Sequence, residues 1–223
     1  MTRFLLVSAA ICVLSMHSTA CGMPDEDGHC PFPQTAELVD YDHPARYVEQ
    51  GPATQIVEGL GEAVSQARGW YVAKTSRMSA PEFIDRVIHQ HMKMQRDPSM
   101  VLVRSASQVW KSGFASGCHD MALLAAAFLR FNGLPTVFVE TVHDSYLRGE
   151  SFHGHVFLEV RLANGDWMLY DPTNSRFWYD WTPGSLDLPG GYHVMGRYRD
   201  PWEADLGSNR DLMDCMAMSK ETM

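Results

Sequence analysis

The chain has 223 residues, 45% hydrophobic and 20% charged, which suits one globular domain or a domain with a small appendage. Its formal charge is −9, and loss of Arg3 with the leader described next takes it to −10. That balance excludes a general nucleic-acid binder and a protein held to anionic membranes by its own charge.

The first 21 residues, "MTRFLLVSAAICVLSMHSTAC", carry one arginine, an apolar run from Phe4 to Met16, and small residues before Cys21. The run is shorter than the ~20 residues a spanning helix needs, so residues 1–20 read as a secretory signal peptide. The ending "STAC" is similar to the box at which a bacterial lipoprotein is cleaved and lipidated on its cysteine, except that Ser18 stands where leucine is usual. Ordinary cleavage after Ala20 is the alternative. The expected location is the cell envelope or periplasm, lipid-anchored through Cys21, or else secreted. Export implies an oxidising compartment. With Cys21 lipidated, the economical pairing is Cys30 with Cys215 and Cys118 free, and without lipid, Cys21–Cys30 competes.

Residues 21–36 are rich in Pro, Gly and Asp and read as a tether or surface arm. Residues 37–107 read as a helical N-terminal part. A helix over 54–68 is weakened by two glycines, whereas "SAPEFIDRVIHQHMKM" is stronger. There Ser79 and Glu82 make a capping box, Pro81 sits in the first turn, and Asp97-Pro98 stops the helix. His89 and His91 read as solvated or edge residues of it. Residues 108–223 form the core. Met121, Leu124, Ala125, Phe128 and Leu129 recur at helical spacing from 117, and Asn132-Gly133 with Pro135 ends that helix. Strands follow at 136–142, 155–162, 167–173 and 192–199, with a short helix over Leu206–Lys220. Helices first and antiparallel strands after them make an α+β domain.

The stretch "GFASGCHD" puts Cys118 where that central helix begins. Unpaired N–H groups and the macrodipole there favour a thiolate, and can also receive the oxyanion of a tetrahedral intermediate. Gly113 and Gly117 leave room for close approach. Asp120 would disfavour the thiolate unless it bonds the cap and points away. A cysteine nucleophile needs a base, and the base an orienting group. His155 opens one strand and Asp171 ends the next. A two-residue Asn164-Gly165 loop would make paired numbers sum to 329 and put the two on opposite faces. A three-residue Ala163-Asn164-Gly165 loop with a left-handed Gly165 makes the sum 328 and puts them on one face.

The blocks "SGFASGCHDMALLAAAFLRFNGLPTVFVET", "GHVFLEVRLANGDWMLYDPTN" and "GGYHVMGRYRDPWEADLGSNRDL" resemble the core of the transglutaminase-like superfamily over roughly 108–215. The resemblance implies a papain-like fold, with the cysteine-bearing helix packed on an antiparallel sheet. It also implies Cys118 as nucleophile, His155 as base and Asp171 as orienting group. His153 is the reserve base, and His119 is expected to point elsewhere around the helix. A metal site from Cys118, His119, His153 and His155 is the competing reading, although no structural-zinc spacing is present. The aromatic run 176–181 walls the cleft or packs in the core, and Gln108 and Trp110 are cleft candidates. No calcium signature appears, so no cofactor or metal is expected. The function implied is a thiol enzyme acting on amide bonds of a peptide, protein or peptidoglycan-type substrate through an acyl-enzyme. Hydrolysis is favoured over transamidation; the alternative of another class is a non-catalytic envelope binding module.

Overall fold

The computed structural model describes residues 39–57, 59–74, 78–150 and 153–222. The expected signal peptide over 1–20, Cys21, the expected arm over 21–36 and Cys30 lie outside the described residues. Helix α1 spans Leu60–Lys74 and α2 Ala80–His91. The capping box of α2 forms as expected, with Ser79 N donating to Glu82 Oε2 (2.8 Å) and Glu82 N to Ser79 Oγ (3.4 Å). Met92 turns extended and ends α2 well before Asp97, which instead caps a short 3-10 turn over Pro98–Met100.

The expected helix over 54–68 starts later, at Leu60, because the groups that would close its first turn are taken: Ala53 O accepts from Ala106 N (2.8 Å) and Val57 N donates to Ser107 Oγ (3.2 Å). Asp200, fully buried, accepts from Ala53 N, Thr54 N and Thr54 Oγ1 at 3.1–3.2 Å.

Strand β1 (Lys93–Met94) pairs in parallel with β2 (Phe114–Ala115), and α3 (Ala106–Ser112) lies between them in sequence. Gly113 ends α3 in the left-handed region (φ 71°), so its glycine serves the helix stop rather than substrate approach. Helix α4 (Cys118–Phe131) is buried from His119 to Arg130 and runs through the middle of the molecule. A helix apolar on all sides has this place in a domain.

Beyond α4 come β3 (Thr136–His143), the short α5 (Asp144–Leu147), β4 (Gly154–Arg161), β5 (Trp167–Asp171), β6 (Arg176–Trp178), β7 (Asp187–Leu188), β8 (Tyr192–Tyr198) and α6 (Asn209–Thr222). The strands β3–β8 form a six-stranded sheet in the order β6-β5-β4-β3-β8-β7, each neighbour antiparallel. One face, carrying Phe138, Val156, Leu158, Met168 and Tyr170, packs on α4 in a core that also takes in Leu60, Val64, Ile84 and Ile88. The other face, with Val139, Phe157 and Leu169, also carries Trp178, Tyr192 and Val194 and is packed by Trp181. This is the expected α+β architecture. No helix among the described residues is long and apolar enough to cross a membrane.

The register of the β4–β5 hairpin decides which residues meet. Leu158 pairs with Tyr170, Val160 with Met168 and Arg161 with Trp167, each pair summing to 328. Leu162 N then bonds Asp166 O (2.8 Å), which leaves Ala163-Asn164-Gly165 as the loop, and Gly165 has φ 95°. The bulged three-residue loop is therefore the one formed.

Candidate active site

Cys118 is the first residue of α4, and its N-cap, Gly117, has no side chain to bond the helix end. Met121 N to Gly117 O is the first bond of the helix (3.4 Å), so the N–H groups before it are not used within it. Asp120 does turn back, accepting from Ser116 N at 2.6 Å, and it is paired with the buried Arg104. Its negative charge is therefore neutralised one helical step from the thiol.

From the sheet, β4 begins and β5 ends at the same edge as the N-terminus of α4. The half-buried Cys118 shares a cleft of about 410 Å³ with Met94, Arg96, Gly117, His153, His155 and Thr173. His155 Nε2 lies 2.9 Å from Asp171 Oδ1, off the line of a straight N–H···O bond. Its other nitrogen, Nδ1, is thereby left for Cys118, with which the ring interacts. Phe157 packs edge-on against the His155 ring, with centroids 4.8 Å apart. Asp171 is itself fixed by the turn after β5. Its Oδ1 accepts from Thr173 N (3.0 Å) and Asn174 N (3.2 Å), and its Oδ2 from Asn174 Nδ2 (2.8 Å). The strand-end cap and the partner of His155 are thus one carboxylate.

His119 departs from expectation. It does not point away: its Nδ1 is 3.8 Å from the Cys118 sulfur. Its Nε2 is 2.8 Å from Glu140 Oε2, an oxygen that also accepts from Tyr198 OH at 2.9 Å. The signal for this lay in "TVFVETV", where an acid inside an apolar strand required a buried partner.

These contacts set the charge states. Burial opposes ionisation of Cys118, but the charge on His119, and after it His155, brings the thiol down from its ordinary value to about 6. Burial also opposes charge on His155, yet its bonds to Asp171 and then Cys118 raise it to about 10. Against burial again, His155 and then Asn174 hold Asp171 below the usual carboxylate range. His119 is raised well above its ordinary value despite burial, through Glu140 first. The arrangement can hold a thiolate between two imidazolium rings at neutral pH.

The other candidates fall elsewhere. His153 is exposed on the cleft rim, 3.5 Å from Tyr192 OH, and is not held by an acid. His89 is not merely solvated: its Nε2 lies 2.8 Å from Pro172 O. His91 stacks on Trp110 (3.7 Å), and Gln108 closes a capping box with Ser105, so neither Trp110 nor Gln108 lines the cleft. Of the aromatic run, Phe177 stacks on Tyr170 in the core and Trp178 lines a neighbouring cavity. Among the described residues no group of three or more His, Cys, Asp or Glu side chains is placed to hold a metal ion.

Residues 64–172 match the family model of the transglutaminase-like superfamily, a span that takes in Cys118, His155 and Asp171. These residues are a transglutaminase-like domain. The match begins ahead of the motifs that carry the resemblance in the sequence, so α2 and most of α1 lie within the domain's span. No curated protein matches the chain. Among solved structures, a "putative cysteine protease" from Cytophaga hutchinsonii aligns with a TM-score of 0.52 at 18% identity, over 74% of this chain and 50% of that one. The chain thus spans half the length of that protein. The likeness shows the fold, which is papain-like. In the transglutaminase-like domain, the helix–sheet packing of that fold brings the thiol to the strand ends where His155 and Asp171 stand.

Proposed function

We propose that this protein is a thiol enzyme that cleaves amide bonds through an acyl-enzyme on Cys118, with His155 as proton carrier and Asp171 as its orienting group. The observation that carries this reading is that Cys118, at a helix N-terminus, and His155, paired with Asp171, line one cleft. The thiolate would attack the amide carbon, and the unused N–H groups at the start of α4 would receive the oxyanion. The His155 imidazolium would then protonate the departing amine. As a neutral base it would next take a proton from water, which attacks the thioester and releases the acid and the thiolate. With an amine in place of water the same steps make a transamidase. Water is the proposed acceptor, and peptide or peptidoglycan-type amides are the proposed substrate class.

A screen of peptide and amine substrates tests this, with intact-protein mass spectrometry of the wild type and Cys118→Ala. A mass adduct on Cys118 that turns over in water supports hydrolysis. Turnover only with an added amine would make it a transamidase. No adduct from any amide substrate would favour the non-catalytic envelope module. Export, lipidation of Cys21 and a Cys30–Cys215 bridge belong to the same proposal, and mass mapping of the non-reduced mature protein tests them. Cys215 itself is buried on α6.

A further inference from the structure

Glu140 is fully buried in the middle of β3, where an ionised acid is costly unless it is paired. The cation it meets is the ring of His119, 2.8 Å away, while Tyr198 bonds the same oxygen and Oε1 has no partner among the described residues. A staple between helix and sheet would be met as well by two apolar side chains. This one instead delivers a ring nitrogen to 3.8 Å from the Cys118 sulfur. The sulfur therefore has two imidazole–carboxylate arms: His155–Asp171 from β4 and β5, and His119–Glu140 from α4 and β3.

We infer that His119, charged and held by Glu140, keeps Cys118 ionised independently of His155, so that His155 is free to give up its proton during turnover. The inference deepens the proposed function and rests on the same thiol. A single histidine has two duties in a thiol enzyme: it stabilises the thiolate by being charged, and it serves chemistry by losing that charge. The second arm divides them. Its charge persists through the cycle because the paired Glu140, buried beside it, favours the protonated ring. It also meets the sulfur when the thioester breaks and negative charge returns there.

Other groups facing the thiol do not duplicate this. Asp120 is cancelled by Arg104, Tyr192 and Tyr198 are neutral phenols at working pH, and Arg96 and His153 stand on the cleft wall.

Thiolate absorbance near 240 nm, followed against pH, together with the iodoacetamide rate, reads ionisation without any substrate. The comparison needs the full chain as wild type, His155→Ala, His119→Gln and the double variant. The expected result is that His155→Ala keeps its ionisation limb at least one pH unit below the free-thiol value of about 8.5. His119→Gln should move the limb upward by at least a unit and slow alkylation at pH 6 at least about fivefold, and the double variant should titrate near 8.5. If His155→Ala alone returns Cys118 to about 8.5, the second arm does not act and the inference fails. An unmoved limb in a folded His119→Gln protein would overturn it equally. Should His119→Gln fail to fold, the His155→Ala limb decides by itself. Failure to find any amide substrate would count against the enzyme reading and leave this ionisation result standing.

Discussion

His89 of α2 donates to the carbonyl oxygen of Pro172, 2.8 Å away, and so fastens a helix of the first half of the chain to the turn that carries Asp171. Asp85, 3.5 Å from the same ring, is the first cause of its raised pKa and favours the protonated, donating form. Asp85 in turn accepts from Tyr170 OH at 2.7 Å. His89→Ala should leave the fold intact and let this turn drift. A fall in kcat of about 10–100-fold with KM little changed is expected from such a misplacement. Steady-state kinetics on the substrate found by screening checks it; a change confined to KM would show that α2 does not position Asp171.

Asp171→Asn keeps a side chain of the same shape in the turn but removes the negative charge beside His155. Turnover should fall on the order of 10²–10⁴-fold while substrate affinity holds. Cys118 should still be alkylated by iodoacetamide in this variant. Loss of alkylation together with turnover would mean that the substitution had disturbed the thiol itself.

The pH dependence separates the two protons of the site. Cys118 titrates at about 6 and His155 at about 10, so the thiolate–imidazolium pair fills the interval between them. Below about 6 the thiol is protonated, and both alkylation and turnover should decline. Above about 10 His155 loses its proton; turnover should then decline for want of a general acid, while alkylation stays fast. Rates measured over both limbs test this, and a single alkylation limb near 8.5, the ordinary thiol value, would contradict it.

Gly51 and Asp200 make a stability prediction far from the cleft. A Cβ added at Gly51 would lie 2.4 Å from the Cβ and Oδ2 of Asp200. Gly51→Ala should therefore cost about 1–3 kcal/mol through overpacking. Asp200→Ala should cost more, about 3–5 kcal/mol, because it strands buried donors and removes the charge facing the buried Arg130. Urea unfolding gives both values; a smaller loss for Asp200→Ala than for Gly51→Ala would show that this latch carries little of the stability.

What was legible in the sequence was local. Ser79 and Glu82 lie three apart and form the capping box by themselves, and Ala163-Asn164-Gly165 carries its own turn chemistry. The positions of His155 and Asp171 followed from that turn by counting. What escaped depended on residues far apart in the chain. The start of α1 could not be placed without knowing that Ala106 N claims Ala53 O and Ser107 Oγ claims Val57 N. Strands β1 and β2 are two residues each, too short to leave a period. His119 was misplaced because helical spacing turns successive residues about 100° apart. That rule concerns side chains leaving a helix flank; at an N-terminus, adjacent side chains can still converge when a neighbour such as Glu140 draws one of them in.

Strand β5 is buried from Trp167 to Asp171, on both of its faces. Its hydrophobic pattern therefore offers little to choose between two registers that differ by one residue. The choice falls to Ala163-Asn164-Gly165, which β4, at about 3.3 Å per residue, holds roughly 25 Å from the thiol. A hairpin closed over Asn164-Gly165 alone would turn Asp171 away from His155 and Tyr170 away from Asp85. An exposed bend on the far rim thus sets whether the acid and the imidazole of the cleft share a face.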